Sequence, residues 1–357
     1  MKHVIERSGI RTDKMRLKHP YRIAYDHISD VHNVFLKLET SNGIVGYGCA
    51  APDIHVTGED HEKVVEVFEG TLLPLIRKRD CTRISRIMEK LRKVADKYPS
   101  TLAMVDMALH DILGKVTGLP LYRLLGGYRT NIKTSVTVGI CSVDDTIDRS
   151  RDYVDQGFRA IKIKGGLDVD EDIKRVWGVR KELGPSIELR FDANQGYNAR
   201  EAIRFVKEVG GADLELIEQP TPTGSPEMLG RVTRKVPIPV MADESLLTLR
   251  DAFKLARGDI VDMINIKLMK VGGIEQALHI NSVARSAGLE TMVGCMDESK
   301  LGIAASLHFA LAKPNVAYAD LDGNLGLIGD PVSGGVVLRR GILYVNEEPG
   351  LGVDMTW

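Results

Sequence analysis

Five residues, Lys164, Asp192, Glu218, Asp243 and Lys267, follow one another at intervals of 28, 26, 25 and 24 positions. Each stands at the end of a short apolar run: RAIKIK, IELRFD, LELIEQ, IPVMAD and DMINIK. The interval matches one strand-plus-helix unit. Barrel active sites lie at the C-terminal ends of parallel strands, so the five are expected to share one mouth. A single such residue is most often a solvated loop group or a helix cap. Five in regular succession after apolar runs are not explained that way. Asp192, Glu218 and Asp243 come from three consecutive strands. Their all-oxygen ligation suits a hard cation, and a partly open octahedral site suits one Mg²⁺ per subunit. Without a metal, three converging carboxylates would repel and their pKa values would rise.

The two lysines fall on strands two and six of eight. In a closed ring those positions are diametrically opposite. A carbon acid held between them can lose a proton from one face and regain it on the other. An α-proton beside a carboxylate is too weakly acidic for a lysine alone, so the metal must offset the charge that develops. In IKIKGG, period-two alternation turns Lys162 and Lys164 to the same face. Lys164, nearer the mouth, is read as the base. Lys162 is read as the group that holds the substrate carboxylate, and its charge would lower the pKa of Lys164. Asn194, Gln219, Ser245 and Asn265 lie beside these residues, as groups that orient the ligands or the substrate.

The elements that must position this set are legible as patterns. Eight β-rich runs (KTSVTVGI, RAIKIK, IELRFD, LELIEQ, IPVMAD, DMINIK, ETMVGC, NVAYAD) alternate with amphipathic helical segments such as EDIKRVWGVRKELG and AREAIRFVKEVG. That alternation predicts a parallel α/β barrel over 126–324, a modified (β/α)8-type barrel of form (β/α)7β. Before it, VFLKLETSNGIVGYG alternates around Asn42-Gly43 as a hairpin, and residues 61–125 read as helices. Residues 1–125 are thus expected to form a small α+β domain. The Gly-rich, strand-like segment 325–357 is expected to return to it.

Composition narrows the function classes. The chain has 357 residues, 43% hydrophobic and 27% charged, with a net charge of −1. There is no basic excess for nucleic acid and no apolar run near the ~20 residues that cross a membrane. MKHVIERSGI lacks the apolar core of a signal peptide. Cys49, Cys81, Cys141 and Cys295 have no paired spacing and read as reduced thiols of a cytoplasmic protein, expected to assemble as a homo-oligomer. Gly165-Gly166 and Gly272-Gly273 do not form a dinucleotide fingerprint. His110, on an apolar helical stretch, reads as a structural histidine, and His55 is left unassigned.

The signatures IKIKGG, RFDANQGY, IEQP, ADES, INIKLMKVGGI and GCMDESKLGIAASLHFA resemble those of the enolase superfamily, muconate-lactonising subgroup. MALHDILGKVTGLPLYRLLGG resembles the family's approach to its barrel, and the resemblance implies that residues 1–125 form a capping domain over the barrel mouth. The resemblance implies Asp192, Glu218 and Asp243 as Mg²⁺ ligands and Lys164 and Lys267 as the acid/base pair. YADLDG resembles the Asp-x-Asp of dipeptide epimerases, which implies that Asp320 and Asp322 receive a substrate ammonium group. Asp297, in GCMDES, and Asp53, in APDIHVTGED, add negative charge and favour a Lys- or Arg-containing dipeptide over Ala-Glu. Tyr25 is a candidate for closing the site. The competing readings are cycloisomerisation of a muconate, an o-succinylbenzoate synthase-type dehydration, and N-acylamino acid racemisation. Their substrates lack an ammonium group and leave Asp320 and Asp322 without a partner. A metal-dependent hydrolase would want histidine ligands. A binding-only barrel would not need both lysines.

Overall fold

The computed structural model describes residues 3–24 and 26–357. Tyr25, the proposed closing residue, lies outside the described residues. Strands β1 (Ile5–Arg22), β2 (His27–Thr40) and β3 (Val45–Ala50) form an antiparallel sheet. The β2–β3 turn is the predicted Asn42-Gly43, where Gly43 takes φ 79°, a left-handed angle that glycine adopts without a Cβ penalty. Helices Ile84–Ala95 and Pro99–Thr117 pack beneath. Val34, Leu36 and Leu38 of β2 meet Phe68, Leu72 and Met88 in one buried cluster.

Strand β4 (Asn131–Lys133) precedes the ring. The ring is an all-parallel sheet of β5 (Val136–Val138), β6 (Ala160–Lys164), β7 (Glu188–Asp192), β8 (Leu214–Glu218), β9 (Val240–Ala242), β10 (Met263–Ile266), β11 (Glu290–Gly294) and β12 (Val316–Asp320). Helices Val143–Asp155, Val169–Leu183, Ala199–Glu208, Pro226–Thr233, Leu249–Arg257, Ile274–Ser286 and Lys300–Ala312 fill the seven crossovers, and β12 ends the series. The predicted (β/α)7β architecture is therefore the observed one. The ring closes through a single bridge, Thr134 to Ala319, with the Ser135 amide 3.1 Å from the Ala319 carbonyl.

Two features differ from the sequence pattern. KTSVTVGI is not one strand. It breaks at Thr134-Ser135, because those residues turn aside to bond β12 while β4 pairs elsewhere. The C-terminal tail also divides between two neighbours. Strand β13 (Leu327–Ile328) pairs with β1, and β14 (Val332–Gly334) pairs with β17 (Val353–Met355). Strands β15 (Val336–Arg339) and β16 (Ile342–Val345) instead extend from β4 at the base of the ring.

Strand alternation sorts side chains between two environments. Ile161, Ile163, Leu189 and Phe191 face outward into the helical layer. Leu216, Met241, Met263 and Met292 point inward and make a separate apolar plug, with Tyr318 packed on it. The charged residues sit on the same inward face, nearer the strands' C-terminal ends. No helix among the described residues is long and apolar enough to cross a membrane.

Candidate active site

The strand-end carboxylates converge. One oxygen from each of Asp192, Glu218 and Asp243 lies within 4.8 Å of the others, and all three residues are buried. Their remaining bonds hold them in place. Asp192 accepts the Asn194 amide at 2.9 Å, and Asn265 Nδ2 donates to Glu218 Oε1 at 2.7 Å. Glu218 Oε2 accepts no hydrogen bond; its polar neighbour is the Lys162 ammonium at 2.8 Å. A buried all-oxygen cluster with an unsatisfied carboxylate oxygen fits a Mg²⁺ ion.

The predicted rise in all three carboxylate pKa values is not what the structure gives. Only Glu218 rises, to about 7, through burial and the charges of Asp192 and Asp243. Burial also opposes ionisation of Asp192, but Lys162 and Lys164 outweigh it and hold that carboxyl below its usual value. Asp243 is likewise held down, by Lys267 and Lys270. Four ammonium groups thus balance the carboxylate cluster.

The lysines flank this cluster. Lys164, at the end of β6, donates to Asn194 Oδ1 at 2.9 Å and lies 3.3 Å from Asp192. Lys267, just past β10, lies 2.8 Å from Asp243. Burial favours the neutral amine of Lys267, but Asp243 overrides it and raises its pKa. β6 and β10 are four strands apart in the ring. Lys162 is buried among three carboxylates, 2.8 Å from Asp320, 2.8 Å from Glu218 and 3.1 Å from Asp192. Those charges overcome burial and hold its pKa well above the usual lysine value.

A cavity of about 580 Å³ opens above them, and Lys164, Lys267, Asp53, Asp297, Asp320 and Asp322 all line it. Asp320 accepts from Lys162 at 2.8 Å and from Ser135 Oγ at 2.6 Å. Burial works against its charge, but Lys162 holds its pKa down at about 2. Asp322 accepts the Thr137 amide at 2.6 Å. Burial and the Asp320 charge push Asp322 up to about 7. Asp297 accepts from Tyr21 at 2.6 Å; burial raises its pKa, and that hydrogen bond partly offsets the rise. Asp53 spends one oxygen on its own turn, accepting the amides of His55 at 2.7 Å and Val56 at 3.0 Å.

The remaining predicted residues separate. Asn194 lines the cavity and bridges Lys164 to Glu244. Gln219 stands behind the carboxylates. Its Oε1 accepts the amides of Asp243 at 3.0 Å and Ser245 at 3.1 Å, and its Nε2 donates to Ser245 Oγ at 2.9 Å. Gln219, Ser245 and Asn265 therefore bond behind the strand-end carboxylates rather than line the cavity. His110 is buried, with Nδ1 2.9 Å from the Asp106 carbonyl, a structural position.

Sequence reasoning missed three groups. Glu244 is buried beside Asp243 and lifted to about 7, by burial first and then by Asp243. Lys270, fully buried, bonds the Asp243 side chain and carbonyl. It follows Lys267 by three positions on a helical turn, a spacing that would have flagged it. Tyr21 reaches the cavity from β1, a contact with no local signal in the sequence.

Comparison with known proteins gives two family matches. Residues 7–126 match the N-terminal domain of mandelate racemase / muconate lactonizing enzyme, and residues 145–357 match the enolase C-terminal domain-like family. The hydrophobic dipeptide epimerase of Enterococcus faecalis is 38% identical over 98% of this chain and 99% of its own. The L-Lys-D/L-Arg epimerase of Methylococcus capsulatus is 38% identical over 96% of this chain and 97% of its own. The crystal structure of a Methylococcus capsulatus dipeptide epimerase complexed with Mg and L-Arg-D-Lys superposes with a TM-score of 0.94, at 38% identity, covering 99% of each chain.

Proposed function

The chain belongs to the mandelate racemase / muconate lactonizing enzyme family, within the enolase superfamily, and on that premise we propose that it is a dipeptide epimerase. It inverts the α-carbon of the C-terminal residue and prefers dipeptides bearing Lys or Arg. The observation that carries this reading is the arc of five strand ends. Lys164 and Lys267 stand across the ring from each other, with Asp192, Glu218 and Asp243 on the strands between. Asp320 and Asp322 share their cavity.

Mg²⁺ held by Asp192, Glu218 and Asp243 would supply positive charge against the negative charge that develops on the substrate carboxylate. The chain's own groups do the rest. Lys162 offers the ammonium that meets that carboxylate. Lys164 takes the α-proton on one face. Lys267, 2.8 Å from Asp243, returns a proton on the other. The roles reverse for the opposite enantiomer. Asn194 aims Lys164 through its 2.9 Å bond. Asp320 and Asp322 bind the α-ammonium of the first residue, which fixes the peptide's direction and brings the second α-carbon between the lysines. Asp297 and Asp53 attract a cationic side chain and repel a glutamate. Overall identity does not select the side chain, because relatives acting on hydrophobic and on Lys/Arg dipeptides are equally similar.

The test is incubation with Mg²⁺ and an L,L-dipeptide library in D₂O. Deuterium should appear at the α-carbon of the C-terminal residue, with Lys- and Arg-containing dipeptides ahead of Ala-Glu in kcat/KM. Lys164→Ala and Lys267→Ala should each slow epimerisation by about 10³-fold. Turnover of an N-acylamino acid or a muconate with no dipeptide exchange would overturn the assignment. A higher kcat/KM for Ala-Glu would overturn the side-chain preference alone.

A further inference from the structure

The seam of the barrel holds the two recognition carboxylates. Thr134 Oγ1 accepts the Leu321 amide at 2.9 Å, Ser135 Oγ donates to Asp320 at 2.6 Å, and the Thr137 amide donates to Asp322 at 2.6 Å. Three positions at the start of the ring thus grip three consecutive positions at its end. Ser135 is fully buried and lies below the cavity rather than in it.

A serine hydroxyl has one hydrogen and two lone pairs. Arg190 Nη1 donates to Ser135 Oγ at 3.1 Å, from a guanidinium that is itself fixed by Glu215 at 2.8 Å and by the Ala319 carbonyl at 3.1 Å. The arginine occupies a lone pair, so it leaves the hydroxyl hydrogen for an acceptor. Asp320 Oδ1 at 2.6 Å is the near acceptor; the Ala319 carbonyl at 3.4 Å is the distant one. Asp320 is then held from two sides, by Ser135 on Oδ1 and Lys162 on Oδ2.

We propose that Ser135 is a positioning residue for substrate recognition: oriented by Arg190, it fixes the Asp320 carboxylate that receives the dipeptide's ammonium group. It touches no reacting atom. The proposal rests on the dipeptide reading, and it assigns a part of that recognition to a residue outside the cavity. Without the 2.6 Å bond from Ser135 the carboxylate can turn out of line with the ammonium, and that loss of alignment is expected to weaken the cation's binding by about tenfold.

The experiment compares L-Ala-L-Lys with lactoyl-L-Lys, its analogue in which a hydroxyl replaces the ammonium, as competing ligands of the Mg²⁺-loaded enzyme. Ser135→Ala should raise KM for L-Ala-L-Lys about tenfold, leave kcat within about threefold, and leave lactoyl-L-Lys inhibition unchanged. The wild-type preference for the ammonium compound then collapses. Equal weakening of both compounds would show a merely structural role and overturn the proposal. Should Ser135→Ala not fold, Ser135→Cys keeps the volume with a weaker donor, and an unchanged preference there would overturn it too. If the wild-type enzyme exchanges no dipeptide, the dipeptide reading falls and this assignment falls with it. If it exchanges dipeptides yet the Ser135 variants keep their preference, only this assignment falls.

Discussion

Asp320 and Asp322 are separated by Leu321 alone, yet their charges are unequally secured. Asp320 has an ammonium and a hydroxyl as donors; Asp322 has a backbone amide and a charged neighbour. With its pKa near 7, Asp322 is protonated below that pH and ionised above it. A protonated carboxyl offers no charge to an ammonium group. Dipeptide KM should therefore rise as pH falls through 7, by up to about tenfold per unit. Asp322→Asn should remove that inflection from a KM–pH profile. A profile that keeps its inflection in the variant would assign it to another group. The five strand-end residues were legible because their spacing repeats the strand-helix unit. Glu244 was not, because it directly follows Asp243, and period-two alternation would turn it to the opposite face. Tyr21 was not, because 276 positions separate it from Asp297.

The loop after β6 shows how an element delivers a side chain. Lys164 is followed by Gly165-Gly166, and Gly166 takes φ 101°. A Cβ there would lie 2.1 Å from the Ala193 carbonyl, in the loop that follows Asp192. The loops that follow Lys164 and Asp192 therefore touch backbone to backbone. Gly166→Ala should strain the turn and separate them. The expected cost is about 2 kcal/mol or more of stability and about 10²-fold in kcat, read from urea unfolding and dipeptide kinetics. A variant within twofold of wild type in both would mean the contact is not required. Alternation and turn signals revealed the ring strands and the Asn42-Gly43 hairpin. They did not reveal the break at Thr134-Ser135, since its cause is hydrogen bonding to β12, nearly the whole ring away in sequence.

Across the molecule, helix Pro99–Thr117 ties the N-terminal sheet to the ring and the tail. Asp106 accepts the amides of Ile274 and Glu275, at the start of a ring helix. Asp111 accepts the Tyr47 amide at 2.9 Å, the Leu351 amide at 2.9 Å and Lys115 at 2.7 Å. Both carboxylates are buried, so removing Asp111 leaves the amides of Tyr47 and Leu351 unmatched, while Lys115 keeps the Val45 carbonyl at 2.9 Å. Asp111→Ala should lose about 3 kcal/mol in thermal or urea unfolding, with kcat of the folded enzyme within twofold. A stable variant with impaired kcat would contradict a purely structural role. Glu59 performs a similar service for the loop bearing Asp53, accepting the amides of Ser100 at 2.7 Å and Thr101 at 3.0 Å. The ring itself is divided in its duties. The groups assigned to proton transfer and the metal occupy β6 through β10, whereas Asp297, Asp320 and Asp322 stand at or just past the ends of β11 and β12; Lys162 of β6 and Arg190 of β7 support the second group from the first arc. Inheritance can act on the two arcs separately. On the function proposed above, the carboxylates assigned to recognition can be exchanged while the arc assigned to proton transfer stays intact, so a new specificity need not pass through an inactive ancestor.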